Sequence, residues 1–278
     1  MKPPVSLAAD INIICCPVAG FGKLRAAPDQ IALLRLNPAP EPCQTSSLSL
    51  LKYADDQTVA GLAAVYQAIH HHGLAETDFS EWGVVAAPGY LGRAALAVTL
   101  QRLAVEGAWG ISPHFIPHHS LHAVSGTISQ VLKIHGPNFG IEATPRGMAE
   151  ALTVAATLLA TGDLPGLWLV LTEYESELVP VEPSRKGPSD AEQPACIALA
   201  LALVPDAGQA SEIMLRICPH DASENHSARA AWNSWSPLEK VSTLADALGH
   251  ELQTRHWRLG SLGWVELTAT DLGPENGL

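Results

Sequence analysis

Two kinds of hydrophobic pattern alternate along this chain: short continuous apolar runs, and longer stretches in which apolar residues recur at helical spacing. Between residues 55 and 72, Val59, Leu62, Ala63, Tyr66 and Ile69 fall on one helical face, and Gly73 stands where a C-cap glycine belongs. Residues 82–87 then form a continuous apolar run closed by Pro88-Gly89, which predicts a buried strand. Residues 93–106 predict a second helix, with Leu96, Leu100 and Leu103 on one face and Gly107 after it. A third helix rich in small residues is predicted at 123–133 and a short strand at 139–143. A long Ala/Leu helix at 147–160 follows, then a buried strand at 167–172. Strand and helix alternate through residue 175, which predicts an α/β fold with right-handed crossovers.

The flanks read differently. Residues 11–16 suit an opening strand, ended by Pro17 and the turn Gly20-Phe21-Gly22. Residues 37–47 are a proline-rich connector that cannot be helical, and residues 180–194 are a polar, proline-bearing surface loop. Strands are predicted at 195–204 and 212–218, joined by a Pro-Asp-Ala-Gly turn. The rest predicts a helix over 237–252 with Ser236 as its N-cap, and a strand at 264–268. The expected division is residues 1–218 as one domain and 219–278 as an irregular C-terminal extension.

Composition narrows what the chain can do. Of 278 residues, 47% are hydrophobic and 16% charged, and the formal net charge is −12 with no block of Lys or Arg. Such a surface has no positive face for phosphates and no pull toward anionic lipid, so nucleic acid and membrane surfaces are not expected partners. No apolar run approaches the roughly 20 residues needed to span a bilayer. Before the apolar run at 11–16 only Lys2 supplies positive charge and Asp10 interrupts the approach, so no secretory signal is expected and the reading is a soluble, cytoplasmic protein. The cysteines, Cys15, Cys16, Cys43, Cys196 and Cys218, form no C-x-x-C pair and are odd in number, which favours free thiols over a disulfide framework.

The informative stretch runs from Gly83 to Glu175. It contains Gly83-Val84-Val85-Ala86-Ala87-Pro88-Gly89, then Ile111-Ser112-Pro113, then Ala123-Val124-Ser125-Gly126-Thr127-Ile128-Ser129. Gly136-Pro137-Asn138-Phe139, Ala160-Thr161-Gly162-Asp163 and Thr172-Glu173 follow. In order and spacing this segment resembles the N-terminal half of β-ketoacyl synthases. The resemblance implies a thiolase-like, layered α-β-α fold with a mainly parallel mixed sheet, residues 1–218 being the ketosynthase-like domain. It implies no cofactor and no metal.

In active members of that family the strand after Gly-Pro-x-Phe ends in a turn that carries a cysteine, followed by a small-residue helix. The helix N-terminus lowers the thiol pKa and helps hold an oxyanion. Here the turn reads Glu142-Ala143-Thr144-Pro145-Arg146-Gly147. The resemblance puts Pro145 at the position of the nucleophile, with Thr144 or Arg146 one register away, and no cysteine lies between Cys43 and Cys196. The family also draws two decarboxylation histidines from its C-terminal half. These sit in His-Gly-Thr and Gly-His type motifs, neither of which is expected after residue 176, and His220, His226, His250 and His256 lie in polar or helical contexts. The residues after 176 are too few for a second complete half. Catalytic residues are therefore expected to be none.

The resemblance then implies a non-catalytic subunit of the chain-length-factor type, paired with an active ketosynthase that makes fatty-acid or polyketide (polyene or related) chains. Acyl carrier protein would be engaged only through that partner, since both it and this chain are acidic. Its interface would include residues 112–128 and 139–148, with Phe115, Ile116, Leu121, Phe139 and Met148 as interface or tunnel residues. Two alternatives stay open: an acyltransferase or synthase using a displaced nucleophile such as Thr144, and a structural or acyl-binding homodimer.

Other features have simpler readings. His70-His71-His72 point about 100° apart on a helix and cannot converge on one ion. His114, His118, His119 and His122 are denser, and His118 and His122 have i,i+4 spacing if helical, yet no carboxylate accompanies them as in H-E-x-x-H. Polar loop residues at an interface are the preferred reading. Gly20-x-Gly22 lacks the third glycine of a dinucleotide fingerprint. Ser125 lacks the flanking glycine of a nucleophile elbow and suits close helix packing. Arg146 either plugs the vacated turn, pairs with Glu142, or is exposed.

Overall fold

The computed structural model describes residues 13–38, 48–142, 145–175, 194–206, 212–219, 235–248 and 254–269. Its strands are β1 (Ile14–Ala26), β2 (Gly83–Pro88), β3 (Asn138–Gly140), β4 (Leu167–Tyr174), β5 (Cys196–Leu203), β6 (Ile213–Pro219), β7 (Arg255–Arg258) and β8 (Gly263–Ala269). They form one sheet in the order β3-β2-β4-β5-β1-β6-β8-β7. The helices are α1 (Pro28–Leu36), α2 (Leu48–Leu51), α3 (Asp56–His71), α4 (Arg93–Glu106), α5 (Phe115–His119), α6 (His122–Leu132), α7 (Pro145–Thr161) and α8 (Val241–Ala247). Among the described residues no helix is long and apolar enough to cross a membrane.

Helices cover both faces of a mixed sheet, as the sequence predicts, but the sheet is not mainly parallel. Among the described strands only β2·β3 and β2·β4 are parallel; the other five ladders are antiparallel. A strand buried on both faces reads as a continuous apolar run whichever way it points, so direction is invisible in the pattern. Helical crossovers join β2, β3 and β4, whereas β5 returns antiparallel against β4.

Alternation along the central strands sorts side chains by size. On β4, Leu167, Leu169 and Leu171 face one core with Leu152 and Met148 of α7, while Trp168 and Val170 face the other. On β5, Leu199, Leu201 and Leu203 join the α7 core, and Ala198, Ala200 and Ala202 face α3. The alanine face lets α3 lie close to the sheet. At Gly22 of β1 a Cβ would sit 2.0 Å from the Ala64 carbonyl oxygen, so only glycine fits there. Gly20-Phe21-Gly22 is therefore strand interior under a helix, not the predicted turn. At the end of the sheet Phe79, Trp82 and Trp168 pack ring against ring at 4.9–5.9 Å between centroids.

Several boundaries move for identifiable reasons. Pro17 does not end β1, because it falls where the strand changes neighbours: residues 14–17 pair with β6 and residues 18–26 with β5. The Pro17 carbonyl still accepts from Val204 N at 3.0 Å. The strands at 195–204 and 212–218 are not a hairpin, since β1 lies between them. The C-terminal helix begins at Val241, not Pro237: Leu238 N and Arg258 O, and Arg258 N and Ser236 O, hydrogen-bond at 3.0 Å, which draws residues 236–238 alongside β7. Residues 249–252 of that expected helix lie outside the described residues. The strands β7 and β8 extend the sheet beyond β6. Helix α1 had no apolar periodicity to reveal it, although Pro28 in its first turn and Gln30, whose Oε1 accepts from Ala27 N at 2.9 Å, are start signals.

Candidate functional site

The turn that the sequence singles out joins β3 to α7. The segment before it is held firmly: Val84 N donates to Pro137 O and Ile141 N to Ala86 O, each at 2.8 Å, which fixes β3 beside β2. Among the described residues no strand flanks the other side of β3, so it forms one edge of the described sheet. Helix α7 starts at Pro145, a residue whose fixed φ suits a first helical position. Thr144 lies outside the described residues, and nothing is described of the Pro145 and Arg146 side chains. Residues 180–193 and Cys43 are also outside.

Next to this turn is a concavity of about 360 Å³ between the start of α4, α5 and Glu142. Its lining is half apolar, with Leu96, Phe115 and Leu121, and half polar, with Arg93, His119 and Glu142. His119 Nδ1 is 3.3 Å from Asp55 Oδ2, and Asp55 Oδ1 accepts from Gln57 N at 3.0 Å, so one carboxylate caps α3 and orients the imidazole. The wall above is fixed by a buried relay. Thr172 Oγ1 donates to Gln57 Oε1 at 2.9 Å, Gln57 Nε2 donates to Gly89 O at 2.8 Å, and Gly89 N donates to Thr172 O at 2.7 Å. Both backbone polar groups of Gly89 thus have a partner, and Tyr90 beyond it takes φ +53°. At Gly92, φ is +71° and a Cβ would stand 2.7 Å from His119 Cβ, so this glycine is required twice over.

The sequence-predicted residues fall into different roles. Ile116 is 70% exposed, Phe139 45% and Leu121 38%, while Phe115 is half-buried along the concavity. Met148 is 1% exposed and packs in the chain's own core, so it offers no surface to a partner. His118 and His122 are not one helical turn apart on one helix, because α5 ends at His119 and α6 begins at His122. His70, His71 and His72 are exposed at the end of α3. Among the described residues no three His, Cys, Asp or Glu side chains converge as a metal site would require. Ser125 is fully buried with its hydroxyl 3.2 Å from His122 Nδ1, out of reach of a substrate. The pattern gave no hint of the Asp55–His119 pair, since the two residues are 64 apart in sequence. A Gly-His dipeptide, Gly249-His250, does occur after residue 176, and it lies outside the described residues.

The described cysteines are far from the β3–α7 turn. Cys196 is on β5, three strands from β3 and so about 14 Å away, and Cys15, Cys16 and Cys218 are on β1 and β6 beyond it. Burial raises three of these thiols: Cys16 to about 12, Cys218 to about 11, and Cys196 well above its ordinary value. A thiol held protonated in a core is inert. In native protein at pH 8, iodoacetamide is therefore expected to leave Cys16, Cys196 and Cys218 unmodified, as read by peptide mass mapping. Rapid labelling of any of the three would contradict this packing.

Comparison with known proteins follows this geometry. Residues 41–165 match the family model described as Beta-ketoacyl synthase, N-terminal domain. Among solved structures, a Beta-ketoacyl synthase from Burkholderia phymatum STM815 is 11% identical with a TM-score of 0.50, over 72% of this chain and 62% of that one. The ketosynthase ApeO in complex with its chain length factor ApeC from Xenorhabdus doucetiae gives 13% identity and TM-score 0.49, over 94% of this chain and 98% of that one. A type II polyketide ketosynthase in complex with its acyl-carrier protein gives 15% and 0.48, over 69% and 63%. This chain thus spans less than two thirds of the first and third of these. No curated protein sequence matches. Residues 41–165 thus match the β-ketoacyl synthase N-terminal domain model, and the fold is similar to that of the Burkholderia synthase.

Proposed function

We propose that this chain is a non-catalytic, ketosynthase-like subunit of the chain-length-factor type, which pairs with an active β-ketoacyl-ACP synthase in fatty-acid or polyketide biosynthesis. The carrying observation is the β3–α7 turn: it follows an open sheet edge, its residues 142–147 include no cysteine, and the described thiols lie three or more strands away. A turn without a thiolate cannot take an acyl group from a carrier thioester by the family's chemistry. What remains useful there is the edge itself. An edge strand with no described neighbour on its outer side favours an added strand, and the exposed Phe139, Ile116 and Leu121 give that contact apolar area.

The proposal is tested by incubating the purified chain with an acyl-N-acetylcysteamine thioester and reading its intact mass. No acyl adduct is expected. A stoichiometric adduct that disappears in Thr144→Ala would overturn the non-catalytic reading in favour of a displaced nucleophile.

A further inference from the structure

Helix α4 carries two apolar ridges, and among the described residues neither is covered. Leu96, Leu100 and Leu103 fall on one ridge and are 45%, 53% and 39% exposed. Val98 and Val105 lie nearly opposite, at about 180–200° from Leu96 around a helix of 100° per residue, and are 51% and 86% exposed. Trp109, in the turn that ends the helix, is 99% exposed. The principal contacts of α4 within the chain are with that turn. Two apolar ridges exposed on one helix are ordinarily buried against another surface.

The shape of the cover follows from the two ridges. A flat surface would bury one and leave the other in water, whereas a groove buries both. We propose that α4 inserts into a groove of the ketosynthase partner that is apolar at its base and acidic at its rim. This rests on the pairing reading given above and adds the element that docks and the chemistry that receives it.

Charge selects the occupant. Residues 89–142 carry three Lys or Arg (Arg93, Arg102, Lys133) against two acidic residues (Glu106, Glu142), which is +1. The rest of the chain carries thirteen Lys or Arg against twenty-six acidic residues, which is −13. Arg93 and Arg102 of α4 therefore suit an acidic rim. Two copies joined α4 to α4 across a two-fold axis would instead bring the same arginines together. A bilayer would take only one ridge, and the chain's −12 charge opposes anionic lipid. The surface is also continuous with the β3 edge, because the concavity that Leu96 lines is bounded by Leu121 and by Glu142, two residues after β3.

The test uses the full chain and an active ketosynthase with which it co-purifies, with Kd measured by calorimetry. The double variant Leu100→Glu, Val105→Glu is expected to weaken the complex about 100-fold or more, since it forces two charges into an apolar groove. Its thermal melting should match that of the parent, because α4 contributes little to the chain's own core. Leu100→Ala with Val105→Ala, expected to weaken binding about 10-fold, serves if the charged variant misfolds. Arg102→Glu should weaken binding and reverse its response to salt. Unchanged Kd in folded double variants would overturn the α4 proposal while leaving the pairing intact. Absence of any complex with wild-type chain would overturn the pairing itself. Homodimerisation lost in the double variant, or α4-dependent binding to phosphatidylcholine–phosphatidylglycerol vesicles, would replace the proposed occupant with another.

Discussion

Alanine at Gly140 is expected to destabilise the protein by about 3 kcal/mol, at the upper end of what over-packing costs. A Cβ there would meet the Leu121 carbonyl oxygen at 2.1 Å, the Leu121 carbonyl carbon at 2.4 Å and the His122 nitrogen at 2.8 Å. These are backbone atoms at the junction of α5 and α6, so no side-chain rotation relieves the clash. The junction must lift from β3, and Leu121 leaves the concavity that it lines. Urea denaturation measures the loss. A change within about 0.5 kcal/mol, the usual range for a featureless surface site, would mean that the α5–α6 junction does not rest on β3.

Trp168→Ala is expected to cost about 3–5 kcal/mol, because it empties the centre of the α3 core. Trp168 is fully buried on β4 and touches the rings of Phe79 and Trp82, and the close approach of Gly166 to Trp82 shows how little slack there is. Trp168→Phe should behave differently. Among the described residues the indole N–H of Trp168 has no acceptor, so phenylalanine removes an unpaired buried donor while keeping most ring contacts. Its loss should be clearly smaller than that of alanine in the same denaturation experiment. Equal losses would indicate that the N–H is in fact bonded.

Much of this fold was legible in the pattern, and the exceptions have physical causes. The helix at 93–106 and the strand at 167–172 announced themselves because spacing and punctuation agreed, with Gly107 closing the one and Thr172 anchored near the end of the other. Pattern gives existence, though, and not burial: Leu96, Leu100 and Leu103 form a clean apolar ridge that none of the described residues covers. Nor does it give strand direction or neighbours, which is why β1 slipping between β5 and β6 was unreadable. The site shows the same division. Its edge strand and turn were legible from motif order. The Asp55–His119 pair and the relay through Gln57, Thr172 and Gly89 bring together residues up to 115 apart, and no local spacing encodes them. Gly20 and Gly22 had a signal, two glycines in an otherwise strand-like run, which marks close backbone approach as readily as a turn.

The most direct test is to co-express the chain with an active ketosynthase, purify by a tag on one of them, and determine the mass of the product by sedimentation equilibrium. The expected result is a stable 1:1 complex in which hydrogen exchange at residues 138–141 slows relative to the free chain, as an edge strand that gains a partner requires. A homodimer of this chain that excludes every ketosynthase offered, with residues 138–141 exchanging as in the free chain, would contradict it.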